Sequence, residues 1–140
     1  MPSRSRAALA ACTALLLMHG SPAAQERQAT YNAEVPAGQY RAVRVVNVPS
    51  GTLLGVAVKL EGQIGVALVY GDAAAATPNA TKPLFRGVAV GRMSFSVTAP
   101  ATSDYYVVLD NRRGTERKTV EVTIAARKRP APKRPGETDT

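Results

Sequence analysis

Cysteine and histidine are nearly absent from this chain of 140 residues, which has one of each, Cys12 and His19. Both fall in an N-terminal stretch that reads as an export leader, so the mature chain is expected to keep neither. Without them there is no Ser-His-Asp or Cys-His nucleophile, no imidazole acid–base step and no zinc site of the usual kind. No serine is followed by lysine three residues later, which removes the Ser-x-x-Lys signature as well. Disulfides are excluded on the same ground, and stability has to come from burial, which a domain of about a hundred residues can supply. Aromatic residues make up only 5% of the chain, too few for the stacking platform that holds single-stranded nucleic acid.

What is present begins with the leader. Arg4 and Arg6 form a basic start, residues 7–18 are apolar, and His19-Gly20-Ser21-Pro22 breaks the run before Ala23 and Ala24. That order matches a secretory signal peptide, and the run is well short of the ~20 residues of a permanent membrane anchor. Residues 1–24 are therefore expected to be removed, with the mature protein periplasmic or secreted. Leu9-Ala10-Ala11-Cys12 has the shape of a lipoprotein box, but the apolar run continues through Leu15, Leu16 and Leu17, so Cys12 reads as an ordinary leader residue.

The formal net charge is +8. Residues 31–125 hold ten basic and seven acidic side chains, whereas residues 126–140 hold five basic and two acidic. Half of the mature basicity thus sits in a short Pro-rich tail, 127–140, with too little apolar surface to offset its ordering entropy; disorder is expected there. Five like charges suit an anionic lipid or polymer surface, or an acidic protein, and equally a solubilising tail.

Between leader and tail the pattern is short β-type segments with no helical period. Residues 39–48 form a strand whose imperfect alternation implies burial on both faces or a bulge. Residues 52–60 place Leu54, Val56, Val58 and Leu60 on one face. Residues 64–70 do the same with Ile64, Val66, Leu68 and Tyr70, and Glu61-Gly62-Gln63 between them suggests a β-hairpin. A long loop, 71–83, follows. Strands are then expected at 84–89, 92–98 (Met93, Phe95 and Val97 inward), 104–110 and 118–125, with turns at Val90-Gly91 and at residues 111–114. Tyr105, Val107 and Leu109 alternate with Tyr106 and Val108, which marks a strand in the middle of a sheet. The fold class is all-β: a single small antiparallel β-sandwich, jelly-roll-like, with seven or eight strands over residues 25–126.

Carboxylates remain as candidates for glycosidase-like chemistry, namely Glu34, Glu61, Asp72, Asp104, Asp110, Glu116 and Glu121, but most fall in turns or on outward strand faces. Asp72, Asp104, or Asp110 with Asn111, are candidate calcium ligands. They lack the dense alternating acids of an EF-hand, and capping roles suit them better. No metal, cofactor or enzymatic activity is expected. Binding residues concentrate on loops held by a rigid scaffold, which points to Asp72 and Asn79 in the long loop and to Asn111, Arg112, Arg113 and Arg117 around the last turn. A protein or an envelope polymer is the expected partner; nucleic acid is not.

Val35-Pro36-Ala37-Gly38-Gln39-Tyr40 resembles the opening of bacterial pre-peptidase C-terminal (PPC) domains. Phe95-Ser96-Val97-Thr98-Ala99-Pro100, followed by Asp104-Tyr105-Tyr106-Val107-Val108-Leu109-Asp110-Asn111, is similar to their ending and to that of GOLD-type sandwiches. The resemblance implies a jelly-roll-like sandwich of an exported protein, acting as an interaction module without catalysis. Asp104 stands where those families commonly carry glycine.

Overall fold

The computed structural model describes residues 13–14 and 26–128, and within them the chain is built from β-strands. In chain order these are β1 (Thr13–Ala14), β2 (Glu26–Val35), β3 (Tyr40–Val48), β4 (Thr52–Gly71), β5 (Phe85–Thr98), β6 (Ser103–Asp110) and β7 (Lys118–Lys128), with one 3-10 turn at Ala73–Ala75. Apart from the short parallel contact of β1 with β3, every pairing is antiparallel.

Two long strands make the sandwich. Residues 52–60 of β4 pair with β7, whereas residues 65–71 pair with β6. β5 follows β4 on its other side, residues 92–98 against the first half and 85–90 against the second. One layer is therefore β2-β7-β4-β5 and the other is β3-β6-β4-β5, the shared strands bending from one to the other. The bends fall at Gly62, with φ of 95°, and Gly91, with φ of 80°, in the left-handed region that favours glycine.

The expected hairpin at Glu61-Gly62-Gln63 is thus absent: its two runs are halves of one 20-residue strand. Val90-Gly91 is likewise a bend within the 14-residue β5 and no reversal. In both places a glycine interrupts the alternation, and a bulge does this as well as a turn. The register shift between Lys59 and Gln63 is that bulge. A strand is also added at Glu26–Val35, and β7 extends through Arg127 and Lys128, two residues into the expected tail.

The alternating faces are as the sequence implies. Leu54, Val56, Val58, Val66, Leu68, Val107, Leu109, Val122 and Ile124 meet between the layers, each at most 3% exposed. Burying one such side chain is worth about 1.5–3 kcal/mol, so this face sets the register. In β3, Val45 and Val48 both point inward because Asn47, with φ of 53°, forms a bulge between them. β6 is central, flanked by β3 and β4, and both of its faces are buried. Its second face builds a smaller cluster of Ala42, Ala67, Val69, Tyr106 and Val108 on the outside of the layer, covered by Ala76 and Ala80 of the long loop. Tyr70 departs from the inward set: it is 38% exposed and stacks on buried Tyr105 at 5.2 Å.

Candidate functional site

The end of β6 leads into the turn 111–114, and Asn111 fixes that turn from below. It is only 3% exposed. Its side-chain amide donates to the carbonyl oxygens of Val35 (3.0 Å), Pro36 (3.2 Å) and Glu116 (2.8 Å). Its backbone carbonyl accepts from Gly38 and Gly114, each at 3.0 Å, and its amide donates to Gln39 at 2.9 Å. Asn111 thereby joins the β2–β3 turn to the β6–β7 connection.

The next residue points outward. The Arg112 Nε donates to Asp110 Oδ1 at 2.9 Å and Nη2 to Oδ2 at 3.1 Å, a two-pronged clamp. Its backbone amide also donates to Asp110 Oδ1 at 3.0 Å. Burial pushes the Asp110 carboxyl up, but the bonds from Arg112 and the nearby charges of Arg112 and Arg113 outweigh this and hold it below the usual carboxylate range. The same Nη2 reaches Asn79 Oδ1 in the long loop at 3.2 Å. The loop is itself pinned, because Arg86 of β5 donates to the carbonyls of Pro78 (3.1 Å) and Ala80 (2.7 Å).

The two segments singled out by sequence, 33 residues apart at these positions, therefore meet on the outer face of the β3-β6-β4 layer. Tyr40 lies beside them, paired with Asp110 across the strands and 39% exposed. Arg113 adds an exposed charge that reaches Asp110 only through space. Together these groups offer a held guanidinium with part of its surface free, a free arginine and a tyrosine ring, a composition suited to a protein surface.

The other candidates lie elsewhere. Asp72 follows Gly71, which pairs with Asp104 at the far end of β6, six residues and about 20 Å from Asp110. It caps the 3-10 turn by accepting from the Ala74 amide at 3.1 Å. Arg117 pairs with Glu34 at 3.1 Å, both well exposed, at the rim of the other layer. It borders an open hollow of about 520 Å³, where Glu61, Glu116 and Glu121 alternate with Lys59 and Lys118. Catalytic carboxylate pairs depend on one acid kept apart from water, whereas Glu61 and Glu116 are exposed and Glu121 is half-buried.

Of the candidate calcium ligands, Asp104 accepts from the Asn47 amide at 2.8 Å and from Arg44 at 2.6 Å, and Asp110 is engaged by Arg112. Among the described residues no group of three or more His, Cys, Asp or Glu is placed to hold a metal ion. Tyr40 and Arg86 carry no signal of a site in the sequence. Their roles depend on which residue lies across the sheet, and no local pattern encodes that.

Fold and site define a small antiparallel β-sandwich that presents a loop and a turn joined on one outer face. No family model matches the chain, and no curated protein matches it. Among solved structures it is similar to PliG of Aeromonas hydrophila, a periplasmic inhibitor of g-type lysozyme, at 13% identity and a TM-score of 0.51, covering 83% of this chain and 98% of that one. Salmonella Typhimurium PliG is similar at 14% identity and 0.50, with the same coverage. The pre-peptidase C-terminal domain of a Bacillus anthracis collagenase is also among the similar structures, at 16% identity and 0.48, covering 81% and 92%. These likenesses concern the fold.

Proposed function

We propose that this chain is an exported, non-catalytic β-sandwich that binds a protein partner through the surface around Arg112. The observation that carries the reading is the 3.2 Å bond from Arg112 to Asn79, which ties turn to loop while Asp110 holds the guanidinium in place. Such a group loses little side-chain freedom on binding, which favours affinity. The likeness to PliG lends support of a second kind, since there a sandwich of this sort inhibits a lysozyme in the periplasm. Export rests on the leader pattern of residues 1–24.

A second reading is electrostatic attachment through the tail. It is favoured by exposed Arg127 and Lys128 on β7, which extend the basic tail onto the body of the sandwich.

One crosslinking experiment in exporting cells separates the two, using the full chain, a chain ending at Lys128, and an Arg112→Ala/Arg113→Ala variant. A defined partner that survives truncation and is lost from the double variant, with the melting temperature nearly unchanged, supports the first reading. Retention lost on truncation, and in moderate salt, supports the second. A double variant that captures its partner normally overturns the Arg112 surface.

A further inference from the structure

Every open sheet needs something to satisfy or protect the backbone groups along its edge strands. Among the described residues β2 pairs only with β7, and β5 only with β4. A third edge, that of β3, carries only the two-residue contact of β1, and the β2 and β5 edges differ in chemistry. β2 faces water with Gln28, Thr30, Asn32 and Glu34. β5 faces it with Arg86, whose Nη2 also holds the Pro78 and Ala80 carbonyls, and with Val88, Val90 and Arg92; the valines are 58% and 68% exposed, more than any other large apolar side chain among the described residues. Behind them Ala89 is fully buried, but Phe85, Met93, Phe95 and Val97 are only partly covered, and Phe85 stacks on Phe95 at 3.7 Å where the layers meet at this flank.

Two apolar side chains on a 14-residue edge invite a strand, and the flanking charges decide which. Residues 86–92 spell Arg-Gly-Val-Ala-Val-Gly-Arg, the same in both directions. Two copies paired antiparallel about Ala89 would set Arg86 against the other copy's Arg92, twice. Like charges directly opposite destabilise a pair, so a second copy of this chain is a poor occupant. A segment with apolar residues at its centre and a carboxylate at each end is complementary at all four positions.

We infer that the free edge of β5 is a strand-addition site for an extended, acid-flanked apolar segment of a partner protein. Backbone bonds would supply affinity, and Val88, Val90, Arg86 and Arg92 the selection. The site shares Arg86 with the loop of the Arg112 surface but is centred on Val88 and Val90, through which it can be tested apart.

The probe is a synthetic nine-residue peptide of alternating valine and threonine with glutamate at both ends, titrated into the mature chain while backbone amide signals are followed. Shifts confined to residues 85–92 and their neighbours on β4 are expected. Binding should fall about tenfold or more, roughly 1.4 kcal/mol, with Val88→Lys/Val90→Lys or with a lysine-ended peptide. It should be unchanged in Arg112→Ala, which separates this site from the other surface. Both valines are exposed, so the lysine variant should fold, and its melting temperature checks that it does. Absence of shifts at millimolar peptide overturns the inference, since the arginines would then only be guarding the edge against pairing. A dimer of the free chain that Val90→Lys dissolves would overturn it in favour of a second copy.

Discussion

Asn111 and Arg112 are adjacent, yet they do different work. The Asn111 amide is buried against three backbone carbonyls, whereas the Arg112 side chain is 40% exposed and paired with Asp110. Removing the Asn111 amide strands two or three carbonyls in a dry turn, each worth about 1 kcal/mol or more. Asn111→Ala should therefore cost about 3 kcal/mol and lower the melting temperature by roughly 15 °C. A loss under a few degrees would mean that water replaces the amide. Arg112→Ala should barely move the transition. Sequence alone grouped Asn111 with Arg112 and Arg113 as a binding residue, since all three share one turn. What separates them is the approach of Val35 and Pro36, some 75 residues upstream, and no local pattern carries that contact.

At the scale of elements, period-2 alternation made the buried faces of β4, β6 and β7 legible, because burial itself selects for it. The connections were less legible. Glycine between two apolar runs serves a reversal or a bend, and only pairing partners decide between them. In β4 the two halves find β7 and β6, so the chain bends at Gly62 and continues. Val43, Val45, Val46 and Val48 allow burial on both faces of β3 or a bulge; the bulge is what forms, and no local pattern shows how it is fastened. Asp104 supplies the fastening. The amide of Asn47, first, and the side chain of Arg44, second, hold the Asp104 carboxyl below its ordinary range. A lowered folded-state pKa means that the stabilisation is complete above the unfolded value, near pH 4, and is lost as pH falls through the folded value. Asp104→Asn retains an acceptor for Asn47 and discards the charge. Urea midpoints of this variant should consequently decline less steeply below about pH 4 than those of the parent chain. Parallel declines would assign the acid sensitivity to other carboxylates, Asp110 first.

For the whole molecule the central question is why so long a loop persists in so small a domain, where connections of about 4–6 residues are usual. Its length and its composition of Ala, Thr, Asn and Pro suggest a mobile binding loop or a crossover between sheets. The structure gives it another task. Because β6 is apolar on both faces, the β3-β6-β4 layer has a second apolar surface that no other layer covers, and Ala76 and Ala80 pack on it. Arg86 and Arg112 hold the loop down from two sides, so the surface proposed to bind a partner is also the lid of this smaller cluster. Replacing residues 72–83 by a short Gly-Ser linker should then leave the main core and the β-type circular dichroism intact. The same change should expose Ala42, Val69, Tyr106 and Val108 together, a contiguous apolar patch of the kind that drives association. The expected readout is binding of a hydrophobic dye at neutral pH and concentration-dependent association, with the parent chain showing neither. If the shortened chain stays monomeric and dye-silent, the cluster does not need its cover, and the length of the loop has to be explained by partner binding alone.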